Sequence, residues 1–296
     1  TPLYSSAASD VYKRQIMTNA EIKDIKGEAG NFQVTLAKKA RYIDVDKCTG
    51  CGECAKHCPV RTTNSFDEGL SNRAAIYVKY PQAVPRAYAI DREKCIGCGL
   101  CDKLCLAKAV QYSDKEEIQT INVGSVILCP GYGLPEVALM LNYGYGKYPN
   151  VVTSIEFERM LSASGPYQGE LLRPSDRDIP QKIAFIQCVG SRDLNQGKGY
   201  CSGVCCTYAI KEAIVAKEHS RLPLDTTIFF MDIRTFGKGF EAYYERAMSE
   251  HGVRFIRCRP SVIEEIPETK NLRIKYEAED GKLIKEEFDL VVLSVG

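Results

Sequence analysis

Twelve of the fourteen cysteines fall into two constellations that could ligate metal. Cys48-x2-Cys51-x2-Cys54-x3-Cys58-Pro59 has the spacing that holds 4Fe-4S clusters, and Cys95-x2-Cys98-x2-Cys101-x3-Cys105 repeats it, with Leu106 where proline is expected. Three thiolates two residues apart can wrap one corner of a cubane, and Gly50, Gly52, Gly97 and Gly99 permit the tight turns this needs. The fourth cysteine of each run points away and ligates the other cluster. The expected sets are therefore Cys48, Cys51, Cys54 and Cys105 on one cluster, and Cys95, Cys98, Cys101 and Cys58 on the second. Structural zinc is the bland alternative, but a zinc site has no use for the third and fourth cysteine of each run.

The second constellation, Cys188, Cys201, Cys205 and Cys206, has a different rhythm. Cys188 ends an apolar strand-like run, and Cys205 and Cys206 open the helical pattern that follows. A dinucleotide-binding fold puts its glycine-rich phosphate loop there. No G-x-G-x-x-G is present, so NAD binding is not expected. A helix N-terminus would favour thiolates as it favours phosphate. On spacing alone, a third cluster and a set of buried thiols both stay open. Cys129 and Cys258 lie in or beside apolar runs and read as core residues. His57, His219 and His251 show no ligand spacing.

These cysteines need elements to position them. Glu21–Lys26 and Phe32–Leu36 alternate around a turn at residues 27–30, predicting a strand pair within residues 20–43. Ile121–Leu128 reads as a buried strand ending at Cys129-Pro130-Gly131. Glu156–Leu161 reads as a short helix capped by Ser154. From Lys182 the pattern becomes strand 182–189, helix 208–219, strand 227–231, helix 240–251 and strand 253–257, the rhythm of a doubly wound parallel sheet. Segments 261–266, 272–277 and 284–288 read as a meander leading into strand 290–295. Apolar residues in 74–77 and 80–84 are expected to dock the eight-cysteine unit on the rest of the chain.

Totals narrow the function classes. The chain has 296 residues, 45% hydrophobic and 26% charged, consistent with a folded globule. Lys plus Arg at 39 against Asp plus Glu at 38 gives no basic footprint for nucleic acid. No apolar run reaches the ~20 residues of a membrane span. So many cysteines in a long chain without a visible secretory signal favour metal binding over disulfides, and a reducing cytoplasm. Residues 1–15, with SSAASDVYKRQ, read as a non-native, adaptor-derived tail. The end at Val295-Gly296, directly after an apolar run, suggests a piece of a longer chain.

Arg41–Asp44, Ala74–Asp91, Val123–Tyr132, Arg173–Asp176, Phe185–Asp193 (FIQCVGSRD), Tyr200–Glu212 (YCSGVCCTYAIKE) and Met231–Glu241 together resemble the A subunit of heterodisulfide reductases and its HdrA-like relatives. The resemblance implies an α/β, thioredoxin-reductase-like (Rossmann-type) flavoprotein fold with an inserted α+β ferredoxin domain holding two 4Fe-4S clusters, here truncated at both ends. It implies these parts: residues 16–43, the C-terminal part of a flavin-binding domain; 44–113, the inserted ferredoxin domain; 114–180, a return to the flavin-binding domain and connector; and 181–296, a second Rossmann-like domain with a cysteine loop. It adds a third 4Fe-4S cluster on Cys188, Cys201, Cys205 and Cys206, and FAD in the full-length protein. Pro130 and Gly131 match a segment contacting FAD. The family's glycine-rich FAD loop has no counterpart in this sequence. Lys211, with Glu158 as partner, is the candidate to tune the flavin N5.

The function implied is that of an oxidoreductase component, related to methanogenesis, that passes electrons between FAD and partners through 4Fe-4S clusters, by flavin-based electron bifurcation in the fullest version. The implied partners are other subunits of a heterodisulfide reductase-like complex, ferredoxin, and hydrogenase or dehydrogenase electron donors. Two other readings stand beside it: a flavin-free ferredoxin-type electron-transfer module, or an HdrA-like subunit of a quinone-interacting oxidoreductase. A zinc-stabilised interaction domain is the third class.

Overall fold

Alternation either side of Gly30 (φ +90°) produces an antiparallel hairpin from Ala20–Glu28 (β1) and Asn31–Lys38 (β2). This is seen in a computed structural model described for residues 15–131, 133–134, 136–194 and 197–296. Except for Gln15, the expected non-native tail lies outside the described residues. The chain divides into two units. One runs to Thr63 and resumes over Asn72–Gly131; the other joins Asn64–Ser71 to residues 132–296.

The first unit continues through helix α1 (Glu53–Lys56), strands β3 (Arg61–Thr63) and β4 (Asn72–Ala74), and the short pair β5 (Ile76–Tyr77) and β6 (Ala89–Ile90). Helix α2 (Leu100–Leu104) and strand β7 (Glu117–Val123) complete it, β7 pairing with β2. Left-handed glycines open both helices, Gly52 (φ +89°) before α1 and Gly99 (φ +72°) before α2. The apolar centre is small: Ile43, Ile76, Ile90 and Ala109, with six of the cysteines packed against it.

The second unit contains β8 (Val151–Thr153), α3 (Ser154–Leu161), β9 (Lys182–Val189), α4 (Cys205–His219), β10 (Asp225–Phe230), α5 (Phe240–Ser249) and β11 (Arg254–Arg257). An antiparallel meander follows, β12 (Ile263–Glu265), β13 (Leu272–Glu277) and β14 (Leu283–Phe288), before β15 (Leu290–Val295). Five strands form one parallel sheet in the order β11-β10-β9-β15-β8. Strands buried on both faces are unbroken apolar runs, as in AFI of β9 and LVVL of β15. One face packs Ile183, Phe185, Leu290 and Val292 against α3 and α4; the other packs Ala184, Ile186, Val291 and Leu293 with residues of the meander.

Several expectations are corrected. Residues 136–180 belong to the same unit as 181–296, β8 joining its parallel sheet, and the cap of α3 is Thr153, which forms a capping box with Glu156, rather than Ser154. Segment 64–71 leaves the eight-cysteine unit because Asp67 ion-pairs with Arg159 of α3. The buried strand expected over 121–128 is β7, mostly exposed, and pairing stops at Val123; Ile127 and Leu128 are exposed, and so is Cys129, which is not a core residue. Cys258 is half-buried against the meander-side core. Ala74–Ile76 are buried, Ile76 in the first unit's own small core, whereas Val84 is exposed.

Asp67 receives Arg159 through Nε at 3.2 Å and Nη2 at 2.8 Å, with the guanidinium 4.4 Å from the centroid of the Phe66 ring. The two side chains, Arg159 and Asp67, are only 17% and 7% exposed. Removing one partner of such a pair strands the other charge, which costs ~3 kcal/mol. Asp67→Ala is therefore expected to lower the unfolding free energy of this chain by about 3 kcal/mol in urea titrations. A loss below about 1 kcal/mol, the level of an exposed pair, would show that this contact does not anchor segment 64–71.

Candidate iron–sulfur centres

In the first unit the eight cysteines sort into two cavities. One, of about 330 Å³, is lined by Cys48, Cys51, Cys54 and Cys105, with Gly50, Gly52, Tyr88 and Leu104. The other is narrower and lined by Cys58, Cys95, Cys98 and Cys101, with Ile76, Ile90 and Tyr112. Each cavity takes three cysteines from one run and the fourth from the other. The runs are built alike: glycines at φ +68° and +89° (Gly50, Gly52) and at φ +71° and +72° (Gly97, Gly99) bend the backbone around the first two thiols. The helix that follows presents the third, Cys54 or Cys101.

Backbone N–H groups already point at sulfur. Gly97 N donates to Cys95 Sγ at 3.5 Å and Ala109 N to Cys105 Sγ at 3.3 Å. Tyr112 Oη lies 3.3 Å from Cys101 Sγ. Burial pushes the Cys54 thiol up to about 12, so a bare thiol there stays protonated. A metal centre would deprotonate it outright. Among the described residues, no three His, Cys, Asp or Glu side chains converge on a single-ion position. Four thiols ringing a cavity, with N–H groups turned inward, fit a polynuclear centre whose sulfurs accept hydrogen bonds.

In the second unit, strand order reverses between β9 and β15, and the carboxyl ends of such strands are where open α/β sheets bind ligands. Cys188 ends β9 there, and Cys205 and Cys206 open α4. A bulge sets β9 against β15: Ile186 pairs with Leu293 and Val189 with Val295, so Gln187 and Cys188 together oppose Ser294. Cys188 takes φ +61°, a conformation costing a non-glycine residue ~1–3 kcal/mol and characteristic of functional sites. Cys188, Cys205 and Cys206 are buried and Cys201 half-buried. The thiols of Cys188 and Cys206 both hydrogen-bond that of Cys205, drawing the Cys205 thiol strongly down and pushing the other two up.

Unpartnered buried polar atoms concentrate beside this set. Both amide atoms of Gln187, the Ser191 and Ser294 hydroxyls and Arg192 Nη1 are buried without a hydrogen-bond partner. Each such group costs ~1–3 kcal/mol if left so. A cluster with hydrogen-bond-accepting sulfur fits this donor-rich surround.

Lys211 Nζ bonds Glu158 Oε1, joining α4 to α3, with both side chains nearly half exposed. Lys211 lines an open groove with Tyr208, Thr207, Phe236 and Phe240. Pro130 and Gly131 are exposed and lie outside any strand or helix of the first unit. Glu212 on α4, the last residue of YCSGVCCTYAIKE, has no ligand spacing and escapes a reading by spacing. It is 2% exposed, and Oε2 has no partner. Burial first, then the nearby Glu158 charge, raise its carboxyl well above the ordinary range.

The 4Fe-4S binding domain family matches residues 41–62. The chain is 52% identical over 286 residues to an iron-sulfur A subunit (the one numbered 2) of the CoB–CoM heterodisulfide reductase of Methanopyrus kandleri, covering 95% of this chain and 43% of that protein. It is 52% identical over 283 residues to the A subunit of the H2/formate:CoB–CoM heterodisulfide,ferredoxin reductase of Methanococcus maripaludis, with the same shares covered. It is 41% identical over 295 residues to the A subunit of the ferredoxin/F420H2-dependent CoB–CoM heterodisulfide reductase of Methanosarcina acetivorans, covering 95% of this chain and 35% of that protein. The chain thus spans less than half the length of these relatives. A solved structure, LpdA of Mycobacterium tuberculosis, overlaps 64% of this chain and 31% of its own at a TM-score of 0.27 and 11% identity. A likeness that low says nothing of the fold.

Glu212 gives a pH test. Its folded carboxyl is protonated well above ~4.3, where the unfolded chain ionises, so its burial destabilises the fold increasingly as pH rises through and above that value. Glu212→Gln is expected to stabilise this chain at pH 7 by ~1 kcal/mol or more, with the curves converging near pH 4. Denaturant midpoints across that range check it. A constant offset would show that packing, not ionisation, carries the difference.

Proposed function

Over nearly its whole length the chain is homologous to the iron-sulfur A subunits of CoB–CoM heterodisulfide reductases, and from this we propose that it is the electron-relaying part of such an oxidoreductase component. One observation carries the reading: the first-unit cysteines sort three-plus-one into two cavities, with the fourth ligand exchanged between runs. Cys48, Cys51, Cys54 and Cys105 hold one 4Fe-4S centre, and Cys95, Cys98, Cys101 and Cys58 the second. Cys188, Cys201, Cys205 and Cys206 hold a third. Such centres supply one-electron transfer without making or breaking bonds. The chain's own part is to fix the sulfurs, aim N–H donors at them and pack apolar residues between them and solvent.

The whole protein would also bind FAD. Lys211, held by Glu158 at the mouth of its aromatic groove, would present a positive charge to the flavin edge, and Pro130-Gly131 would supply a backbone turn against the nucleotide. In the fullest reading, a hydrogenase, a dehydrogenase or ferredoxin exchanges electrons with that flavin. Two such donor pairs would then be shared, two electrons going to ferredoxin and two to a disulfide acceptor whose cleaving site belongs to another subunit of the complex. The relatives' names support such partners: one includes H2 or formate, another ferredoxin or F420H2. Among the described residues, no helix is long and apolar enough to cross a membrane.

Anaerobic purification with iron, sulfide and zinc analysis tests the centres. About twelve iron and twelve sulfide per chain are expected, four of each per centre, and zinc without sulfide would sink the reading. Paired substitutions test the exchange of ligands. Cys51→Ser combined with Cys105→Ser should remove no more iron than either alone, because both serve one centre. Cys51→Ser with Cys58→Ser should remove twice as much. The reverse pattern would mean that each run closes on its own cluster.

A further inference from the structure

Arg192 lies outside every ligand set discussed above, yet the loop after β9 is arranged around it. Its backbone takes φ +54°, two residues after Gly190 at φ +82°. Arg192 N donates to Tyr200 O at 2.9 Å, and Asp193 bridges Lys198, closing a short turn whose far limb delivers Cys201. The same residue thus sits four positions after one cysteine of the second-unit set and across a backbone bond from the neighbour of another.

Its guanidinium is held from one side only. Nη2 bonds Asp232 Oδ2 at 2.8 Å, with the arginine side chain 19% exposed. Its positive charge also lies near enough to Cys188 to act on that thiol. Nη1 is buried and bonds nothing. Asp232 in turn touches the set from the other side, since its backbone oxygen accepts from Cys206 Sγ at 3.8 Å. The Arg192–Asp232 pair therefore spans Cys188 and Cys206. A structural ion pair explains Nη2. It does not explain a second, desolvated guanidinium N–H beside a cysteine, which costs ~1–3 kcal/mol without an acceptor.

We propose that Arg192 is a positioning residue that sets the reduction potential of a 4Fe-4S centre on Cys188, Cys201, Cys205 and Cys206, donating through Nη1 to its sulfur, with Asp232 moderating the charge that the centre experiences. The proposal rests on the third-centre reading above. Reduction adds one electron to the centre from an external one-electron donor and makes or breaks no bond. A fixed cation with an N–H donor stabilises the added negative charge and raises the potential; the aspartate opposes it.

The test uses this chain, reconstituted anaerobically with iron and sulfide and titrated with dithionite while the reduced-cluster EPR signals are followed against potential. Arg192→Met should lower the midpoint of the third centre by about tenfold in its reduction equilibrium, some 59 mV for one electron, with the first-unit centres unmoved. Arg192→Lys should recover part of that shift. Asp232→Asn should move the same midpoint upward, a sign that a merely structural role would not produce. Should Arg192→Met fail to load iron, Asp232→Asn decides alone. About twelve iron in the wild type with an unmoved midpoint in Arg192→Met, or a downward shift in Asp232→Asn, overturns the role of Arg192 while leaving the third centre standing. About eight iron in the wild type overturns the third centre itself, and the proposal with it.

Discussion

Buried thiols cannot all ionise in one place unless something positive stands among them. Cys188, Cys205 and Cys206 lie under this constraint: burial opposes charge on each, and their hydrogen bonds draw the Cys205 thiol down while pushing the other two up. Cys205 stands at the end of α4 where the helix dipole is positive, which favours its thiolate further. Full ionisation of the set requires a metal centre, which supplies the missing positive charge and releases the thiol protons on binding. The architecture of the second unit follows from gathering these side chains at one point. A parallel sheet whose order reverses between β9 and β15 opens a crevice at the strand ends, and Cys188 is delivered there by a bulge rather than by the regular pleat.

The surrounding packing holds that strained delivery in place. β9 and β15 are buried on both faces, by Phe185 and Val292 toward α4 and by Ile186 and Leu293 toward the meander. Phe157 packs edge-on against Phe185 with centroids 5.6 Å apart. Tyr208, one turn into α4, donates its hydroxyl to Val295 O and receives that of Ser154 at 3.2 Å, tying α4 to the last strand and to the start of α3. A rigid seat of this kind can hold a left-handed Cys188 and a left-handed Arg192 that would relax in a looser loop.

How much of this is legible in the sequence varies with the range of the interaction that decides it. The ferredoxin spacing is local, and each cavity is lined by three cysteines of one run and one of the other. The strand–helix rhythm from Lys182 onward is also readable, because two-faced burial writes unbroken apolar runs into β9, β10 and β15. Ile121–Leu128 misleads for the opposite reason. Its apolar content resembles a buried strand, but β2 offers β7 a partner only as far as Val123. Segment 64–71 reads as part of the cysteine unit because it lies between the two runs, and long-range contacts move it: Asp67 and Phe66 with Arg159, Asp67 lying 92 positions away, and Leu70 with the second unit's core. Arg192 is visible inside FIQCVGSRD, but nothing in the string shows that Asp232 waits for it.

Equal spacing does not make the two first-unit centres equal. A Cβ on Gly50 would stand 2.8 Å from Arg86 O, and one on Gly52 3.1 Å from Tyr88 Oη; on Gly97 or Gly99 it would meet nothing within 4 Å. The first run needs glycine for both dihedral freedom and clearance, while the second needs it for the dihedral alone. The donors differ as well. Tyr112 reaches Cys101 in the second cavity, whereas Tyr88, the tyrosine of the first, lies against Gly52. Pro59 lines the second cavity and has no N–H to offer; its counterpart Leu106 is almost wholly exposed at the rim of the first, and Ala109 N turns to Cys105 instead. Since hydrogen bonds to sulfur and solvent exposure set the potential of a cluster, these unequal surroundings would give two centres held by the repeated motif different potentials.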